Sequence, residues 1–598
     1  MAWWCAVSLS AVHAQETLQP VASEESRASP SWALQIEAPD SLKTLLSTYL
    51  DLAKGEASSE GELRRLVAAS SEQARELLQA RGYFAADVRV KMPERQPGQI
   101  QQVHMVVDPG PLTRIEKVQM LFEGDLDSRL SDEDPQAVAL VDQLQAMWAL
   151  PEGEVFTQER WSASKNAALA WLRAHGYPQA TWSGTSSTVD AQAQTARLFL
   201  VADSGPALTY GPLQVEGLQH QPESAIRNLM SFKLGEPYRE KQLLDFQERV
   251  QKLNLFESVF VTLGDTPAGD SRQAPVNVQV RELPLQQATL GVGVSSDTGP
   301  RVSVEHIHRL LWGFPWQAKS KVQIGRDESL IQSDLTSHPR PQGRRWLASI
   351  QASRQVDDDD AVTVSSRVRF GLSFESERVE RTTYVELQRA LVKSAASDAL
   401  SEASAVTVMQ QWLRRDLDNP VLPTTGFTAN AYAGLGRSFS ALDDSGWFMR
   451  AYGRLTWYRP LPSSWYLTLR TEAAQVMASD QVSVPDTLLY RAGGDESVRG
   501  YGYRTLGVKD GTTTLGGRSL LTGSAELAHP LVRSIPSLWG AVFVDMGDAA
   551  QSWSAMNLKL GYGAGVRWRS PVGPLRLDAA YGRDVRAYRL HFSVGIIL

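Results

Sequence analysis

The stretch Gly493-Gly494-Asp495-Glu496-Ser497-Val498-Arg499-Gly500-Tyr501 decides how the rest of the chain is interpreted. It lies within residues 478–517, a polar and glycine-rich segment without a regular hydrophobic period. A loop of this length is uncommon in a compact domain unless it is functional or disordered. Gly500 permits a tight turn beside Arg499, and an arginine held there can bind one carboxylate through two parallel hydrogen bonds. The alternative is an ordinary solvated hairpin loop.

Composition narrows the classes of protein that this chain can belong to. It has 598 residues, of which 42% are hydrophobic and 21% charged, and its formal net charge is -7. The length predicts several domains, and the negative charge argues against nucleic acid as a partner. No run of eighteen apolar residues occurs, so we expect no transmembrane helix. A membrane β-barrel remains compatible, because its strands are short and alternating.

The N-terminal segment has the features of a secretory signal. An apolar run from Trp3 to Ser10 is followed by Ala11-Val12-His13-Ala14, a small-x-small cleavage pattern. We predict a signal peptide over residues 1–14 and a disordered lead-in over residues 15–31, which are rich in Ser, Glu and Pro. Cys5 is the only cysteine, so cleavage after Ala14 would leave neither a disulfide nor a thiolate metal site.

A repeat organises the first half of the chain. Asp108-Pro109-Gly110-Pro111 recurs as Asp203-Ser204-Gly205-Pro206, and Arg81-Gly82-Tyr83-Phe84 recurs as His175-Gly176-Tyr177-Pro178. A third copy, with a first helix predicted over residues 222–230, ends at Val280-Arg281-Glu282-Leu283-Pro284. Each copy has the order β-α-α-β-β, which predicts a small sheet with two helices on one face. The predicted domains are residues 32–109, 110–205 and 206–284.

These repeats carry no recognisable chemistry. They contain no phosphate loop, nucleophile elbow or metal-ligand spacing, so we predict no catalytic residue, no metal, no cofactor and no enzyme activity. His306 and His308 alternate on a strand and make a poor metal pair, and the acidic run Asp357–Asp360 is interpreted as a solvated turn because it lacks EF-hand spacing. An exposed sheet edge can instead accept an added strand from an extended chain.

Period-two alternation replaces the helical period from about Gln286 onward. In residues 561–569 one face carries Tyr562, Ala564, Val566 and Trp568, whereas the other carries glycine and arginine. In a membrane barrel such strands turn the apolar face to lipid and the charged face to a wet lumen. We count about sixteen strands over residues 285–598, an even number as bacterial barrels require. The predicted fold is therefore α+β repeats followed by an all-β, 16-stranded transmembrane barrel.

The combination resembles the Omp85 superfamily, and the repeats look like POTRA domains. The most specific markers are Val498-Arg499-Gly500-Tyr501 and Phe543-Val544-Asp545-Met546-Gly547. The resemblance implies a barrel in the cell outer membrane, POTRA domains in the periplasm, and a loop that folds into the lumen so that Arg499 meets Asp545. Strand alternation also places Phe543 and Asp545 inward. The alternative is that Asp545 only solvates the lumen wall.

The candidate site comprises two sets of residues. Glu526 faces inward on its own strand and is a second possible acidic partner of the arginine. The loop set is Val498, Arg499, Gly500 and Tyr501 with Gly493 and Gly494, and the wall set is Asp545, Phe543, Gly547 and Glu526.

Three POTRA-like units narrow the subfamily, and the Gly493–Tyr501 and Pro571–Arg576 stretches look most like the outer-membrane subunit of the translocation and assembly module (TamA-like). This implies the insertion or secretion of outer-membrane proteins such as autotransporters, from unfolded clients, in contact with outer-membrane lipid. It also implies a large inner-membrane-anchored TamB-like partner. A two-partner-secretion-type transporter, a passive channel with periplasmic adaptors and an outer-membrane enzyme are the alternatives.

Glycines mark the two strands that would close the barrel. Gly291 and Gly293 lie on the first strand and Gly595 on the last, and glycine adds no side-chain packing. One hypothesis is a weak lateral seam whose edges a client strand can use. The other is that these glycines only relieve crowding in the barrel wall.

Overall fold

The computed structural model describes residues 32–54, 59–94, 100–266, 272–358, 360–376, 378–394, 397–419, 422–440, 443–532, 534–570 and 573–597. The predicted signal peptide and lead-in lie outside these residues. The chain divides into two compact units, Met1–Leu208 and Thr209–Leu598.

The first unit contains two three-stranded sheets with helices. Its elements are β1 (Trp32–Glu37), α1 (Asp40–Tyr49), α2 (Glu60–Ala80), β2 (Asp87–Lys91), β3 (Gln101–Asp108), β4 (Arg114–Glu123), α3 (Asp125–Ser131), α4 (Pro135–Ala146), α5 (Gln158–Ala174), β5 (Thr181–Asp190) and β6 (Thr195–Asp203). The sheet orders are β1-β3-β2 and β4-β6-β5. The opening strand of each sheet runs parallel to the central strand, and the remaining edge strand runs antiparallel to it.

The second repeat has three helices instead of the two predicted. The extra helix α4 begins at a strong start signal, because Pro135 occupies its first turn and the Asp134 side chain accepts a hydrogen bond from the Gln136 N–H.

Among the described residues, no helix has both the length and the apolarity to cross a membrane.

The third repeat begins the second unit. Its elements are β7 (Thr209–Glu216), α6 (Ser224–Arg227), α7 (Glu240–Gln251), β8 (Phe256–Leu263) and β9 (Gln273–Glu282), with sheet order β7-β9-β8. The sequence predicts a helix over residues 222–230, and this prediction is wrong in extent. The chain beyond α6 makes tighter i to i+3 hydrogen bonds, Leu229 N–H to Ile226 O and Met230 N–H to Arg227 O, so the α-helix stops early.

A buried arginine joins the third repeat to the barrel. Arg309 is only 1% exposed and donates to Asn254 O and Pro284 O, both at 2.8 Å, and to Gln287 Oε1 at 2.9 Å. The Asn228 side chain also donates to Pro339 O at 2.8 Å. These bonds fix the repeat to the turns at one end of the barrel.

Sixteen antiparallel strands form a closed barrel, which confirms the predicted fold. They are β10 (Gln286–Ser295), β11 (Gly299–His308), β12 (Trp316–Gly325), β13 (Glu328–Ser337), β14 (Arg344–Val356), β15 (Val362–Glu375), β16 (Val379–Ser394), β17 (Ser397–Leu417), β18 (Gly426–Ser440), β19 (Gly446–Leu461), β20 (Trp465–Ala478), β23 (Ser519–Val532), β24 (Ile535–Ala550), β25 (Lys559–Ser570), β26 (Gly573–Gly582) and β27 (Ala587–Ile597), while the hairpin strands β21 (Val508–Asp510) and β22 (Thr513–Leu515) lie in the loop between β20 and β23.

The two faces of the strands differ as the alternation predicts. On β24, Val542 and Val544 are about half exposed on the outside of the barrel, whereas Phe543 is 3% and Asp545 0% exposed. The outer face is therefore apolar and the inner face carries the buried charge.

The loop from residue 479 to 518 has more structure than the sequence predicts. It contains the β21–β22 hairpin and a 3-10 turn at Asp486–Leu488. Its apolar side chains, including Val484, Leu488 and Val498, pack with inward residues such as Phe448 and Leu520 in one buried cluster. The loop is a small folded element because these few apolar side chains have the barrel interior to pack against.

Candidate functional site

The centre of the site is the pair formed by Arg499 and Asp545. Arg499 donates from Nε to Asp545 Oδ2 at 2.7 Å and from Nη2 to Oδ1 at 3.0 Å, and its backbone N–H reaches Oδ2 at 3.1 Å. Both residues are buried, at 3% and 0% exposed. Such a two-pronged, charge-assisted contact fixes orientation as well as distance.

Two further carboxylates and a second arginine complete this cluster. Arg499 Nη1 lies 2.9 Å from Glu526 Oε2 and 3.1 Å from Asp578 Oδ2. Arg567 Nη2 lies 2.8 Å and 3.0 Å from the same two oxygens. Three carboxylates thus surround two guanidinium groups, so each buried charge has partners of opposite sign.

Phe543 forms the remaining side of the arginine pocket. The Arg499 Cζ atom lies 3.3 Å from the centre of the Phe543 ring, a cation–π arrangement. Burial acts to lower the pKa of Arg499, but the hydrogen bonds and charges of Asp545 and Glu526 outweigh it and raise the pKa above its usual value. The guanidinium therefore stays charged inside the barrel.

Glycines let the loop backbone touch the wall. Gly500 has a φ of 93°, and a Cβ there would lie 2.7 Å from the Gly582 backbone nitrogen. A Cβ on Gly561 would collide with Arg499 O, and one on Gly547 would lie 2.9 Å from Val498 Cγ2. Close approach, rather than flexibility, explains these glycines.

Tyr501 and Gly500 tie the loop to the neighbouring strands. The Tyr501 hydroxyl donates to Leu560 O at 3.1 Å and lies 2.9 Å from Asp584 Oδ2. The Gly500 N–H donates to His591 Nε2 on β27 at 2.9 Å. Since an acceptor nitrogen carries no proton, the ring proton of a neutral His591 is on Nδ1.

The start of the motif turns on Gly493 and Gly494, both with a φ of 103°. Ser497 Oγ accepts from the Gly493 N–H at 2.7 Å, and Asp297 Oδ2, in the β10–β11 turn, accepts from the Asp495 N–H at 2.9 Å. Burial raises the pKa of Asp495 to about 8, and the Asp297 carboxylate beside it adds to this shift.

Glu496 forms a second charge cluster that sequence reasoning missed. Its carboxylate lies 2.6 Å from Arg576 Nη2, 3.3 Å from Arg454 Nη2 and 3.8 Å from Arg470 Nη1. Burial acts to raise the pKa of Glu496, but these charges, chiefly that of Arg576, hold it at about 2. The motif therefore supplies both a cation and an anion to the barrel wall.

The barrel closes through a short ladder between β10 and β27. Its register runs from Gly291–Ile597 to Ser295–Ser593, five residue pairs, whereas β10 and β11 share ten pairs. Gly293 lies directly opposite Gly595, so the middle of the ladder has no side-chain contact. The candidate seam glycines thus lie together at the junction.

The acidic run is a turn that is solvated only in part, which corrects the sequence interpretation at Asp357, since Asp358 and Asp360 are exposed. Asp357 is 4% exposed and lies 3.4 Å from Arg504 Nε of the loop, while Asp358 Oδ2 accepts from Arg589 Nη1 at 2.8 Å. Basic side chains from distant segments lie beside Asp357 and Asp358, and no local spacing predicts them. Across the described ranges, no group of three or more His, Cys, Asp or Glu side chains could hold a metal ion.

Several contact residues were not predicted as site residues. Asp578, Arg567 and His591 each alternate inward on their strands, which is the signal that could have found them. Alternation gives the face of a residue but not its height in the barrel, so the partners emerge only from the register. For example, Asp578 lies opposite Gly565 on one side and His591 on the other.

Comparison with known proteins gives the same classification. Residues 288–597, more than half of the chain, match the Omp85 superfamily domain, and residues 208–283 match the surface antigen variable number repeat of the POTRA family. The outer membrane protein assembly factor BamA of Nitratidesulfovibrio vulgaris is 25% identical over 407 residues, which cover 64% of this chain and 50% of that protein. Outer envelope protein 80, chloroplastic, of Arabidopsis thaliana is 39% identical over 115 residues, 17% of this chain and 14% of that protein.

A solved structure has the same fold. The crystal structure of BamA from Haemophilus ducreyi lacking POTRA domains 1–3 aligns with a TM-score of 0.63 at 16% identity, and covers 81% of this chain and 100% of that chain. The present chain spans about half the length of the BamA relative from Nitratidesulfovibrio vulgaris. With POTRA units in the periplasm and a closed barrel in the outer membrane, the protein belongs to the Omp85 superfamily.

Proposed function

We propose that this protein inserts outer-membrane β-barrel proteins or translocates them across the membrane, using the seam between β10 and β27. The observation that carries the proposal is the five-pair ladder with Gly293 opposite Gly595. A ladder of five pairs with a glycine pair at its middle is the place where separating two strands of the closed barrel breaks the fewest contacts. The exposed strand edges could then pair with a client strand.

The POTRA-like repeats would receive clients through their sheet edges. The edge strand β5 spans ten residues and carries no charged side chain before Asp190, whereas β2 spans five residues and includes Asp87, Arg89 and Lys91. Charged and short edges resist pairing with a foreign strand. This supports β5 as the edge that accepts an extended client segment.

The latch role of Arg499 and its partners is part of the same proposal. The loop would hold the wall strands β23 to β26 in register while the neighbouring seam between β10 and β27 opens. The four-way contact of Arg499 with Glu526, Asp545, Asp578 and Phe543 supports this role, since it joins four elements at one buried point.

The finer assignment concerns clients and partner. We propose autotransporter-type clients and a large inner-membrane-anchored TamB-like protein, as three POTRA-like units and the Gly493–Tyr501 motif suggest. The similarity to BamA, which is named an outer membrane protein assembly factor, supports a role in handling outer-membrane proteins. The proposal includes no enzymatic step, no cofactor and no nucleic acid.

A two-partner-secretion-type transporter or a passive channel would use the lumen instead of the seam. The buried loop argues against a freely open lumen, because its side chains pack with those of the wall. The two routes predict different effects of closing the seam.

A disulfide across the seam tests the proposal. Val294 lies opposite Val594, and side chains of directly opposite residues are close enough for a disulfide. We expect the oxidised Val294→Cys/Val594→Cys protein to lose insertion of an autotransporter client into proteoliposomes, and reduction to restore it. The matched pair Val322→Cys/Ile331→Cys, opposite each other on β12 and β13, should be active in both states. Undiminished insertion with the seam locked would contradict the proposal.

A further inference from the structure

The last strand extends beyond its partner at the seam. The ladder with β10 ends at Ser295–Ser593, and one further contact follows, from the Ser296 N–H to Phe592 O at 2.9 Å. Within the described part of the chain, residues 587–591 pair with β26 on one side and with no strand on the seam side. Unpaired strand edges are normally covered or paired.

Loop and turn residues contact the side chains of this segment of β27. The Gly500 N–H donates to His591 Nε2 at 2.9 Å, and Asp297 Oδ1 lies 3.8 Å from His591 Nδ1, the nitrogen that carries the proton. Both His591 and Asp297 are buried, at 3% and 8% exposed. The histidine is thus held between the 479–518 loop and the β10–β11 turn.

A second contact lies nearer the first residues of β27. Arg589 Nη1 on β27 donates to Asp358 Oδ2 at 2.8 Å. Asp358 is in the β14–β15 turn, so this bond joins two segments that are not neighbours in the barrel. The loop touches this partly exposed pair, since a Cβ on Gly502 would collide with Asp358 Oδ2 and lie 3.1 Å from Arg589 Nη1. Asp297 also accepts from the Asp495 N–H, which ties the β10 side of the seam to the same loop.

We infer that these loop contacts replace the missing strand ladder and hold the seam shut. Asp297 and His591 connect the loop to both sides of the seam. The Asp358–Arg589 pair holds the first residues of β27. These four residues are positioning residues for seam opening, an inference that rests on the proposed function. The loop then controls the seam itself, besides its contact with Asp545 on β24.

The test measures seam opening directly in the full chain. The reporter is the rate of disulfide formation between Val294→Cys and Val594→Cys in proteoliposomes, with Cys5 replaced by serine. We expect Asp358→Asn to slow oxidation about threefold, the range of a partly exposed ion pair, and His591→Phe, which removes a buried contact, to slow it at least as much. The charge swap Asp358→Arg/Arg589→Asp should restore the rate, because it rebuilds the pair with reversed polarity.

Two controls separate a seam effect from general loosening. Glu402→Gln removes the ion pair with Arg389 between β16 and β17, far from the seam, and should leave the rate unchanged. The Val322→Cys/Ile331→Cys reporter should oxidise equally fast in all variants, and heat-modifiability on gels reports whether each barrel is folded.

Unchanged seam oxidation in both single variants would overturn the inference, as would equal slowing at both reporters. This outcome is distinct from failure of the proposed function. If the variants open the seam but the oxidised lock leaves client insertion intact, the positioning role holds and the seam route is wrong.

Discussion

At the scale of single residues, the site depends on how one cation is buried. Arg499 is inside the protein with three carboxylates and an aromatic ring around it, and a second arginine shares two of the carboxylates. Removing a single member of such a cluster leaves uncompensated charge, whereas the intact cluster need not add much net stability. Its value is specificity, because only one position of the loop satisfies all its partners.

Replacing Arg499 should therefore destabilise the barrel without affecting the POTRA-like units. We expect Arg499→Ala to cost roughly 3–5 kcal/mol, as it leaves Asp545 buried without its partner. Arg499→Lys should be intermediate, since lysine keeps the charge but loses the two-pronged geometry. The measurement is the heat-modifiability transition on semi-native gels. Arg354→Ala, at an exposed position on β14, is the control, and wild-type behaviour of Arg499→Ala would contradict the latch.

Gly500 and Gly511 offer a comparison in which the space available to a Cβ differs sharply. Gly500 and Gly511 both have positive φ, at 93° and 59°, but a Cβ at Gly511 meets nothing within 4 Å. Gly511→Ala should cost about 1 kcal/mol through backbone conformation alone. Gly500→Ala should cost more, because the loop tip has to move away from Gly582. Protease sensitivity of the loop compares the two, and equal sensitivity would show that the close approach is unimportant.

Some residues of the site can be predicted from the sequence and others cannot. Arg499 and Asp545 lie on recognisable motifs, and alternation alone puts Asp545 inside. Asp578 and His591 alternate in the same way and therefore face inward. Alternation does not give their position along the barrel axis, so it does not show that they lie level with Arg499 and Gly500. Glu496 was overlooked because its three arginines come from three different strands, β19, β20 and β26.

At the scale of elements, the loop and the third repeat are held by few but buried contacts. The loop's apolar residues were too sparse to predict a folded unit, and they find their core only inside the barrel. The helices of the repeats were predictable where caps and apolar spacing agree. The α-helix predicted over 222–230 ends early because the chain continues in i to i+3 hydrogen bonds.

Glu282 closes the third repeat near its junction with the barrel. Its carboxylate accepts the backbone N–H groups of Gln219, His220 and Gln221, the shortest at 2.8 Å. Burial acts to raise the pKa of Glu282, but these three donors outweigh it and leave the pKa below its usual value. The stabilisation is thus complete above the unfolded pKa of about 4.3 and is lost as pH falls through the folded pKa.

Hydrogen exchange of the amides at residues 219–221 measures this effect. After correction for intrinsic rates, we expect protection to fall as pH is lowered from 7 to 3. Glu282→Gln should reduce protection at pH 7 and remove its pH dependence. Glu216→Gln, an exposed position on β7, is the control. Protection that stays constant with pH in the unmodified protein would refute the role of the carboxylate.

At the scale of the whole molecule, the barrel is a ring with one weak join. Every other pair of neighbouring barrel strands in the described register has a longer ladder, whereas the seam strands β10 and β27 meet over five pairs. A closed sheet unfolds first where the fewest hydrogen bonds and side-chain contacts have to break. The strand count was predictable from alternation, but this unequal closure was not, because it depends on the register between the first and last strands.

A lock at the join should therefore stabilise the whole barrel more than a lock elsewhere. We expect the oxidised Val294→Cys/Val594→Cys protein to unfold in detergent at a higher temperature than its reduced form. The oxidised Val322→Cys/Ile331→Cys protein should gain little, because β12 and β13 already share eight pairs and do not separate first. Heat-modifiability with and without reductant measures both. A larger gain at β12–β13 would mean that thermal opening begins elsewhere and that the seam is not the weakest part of the barrel.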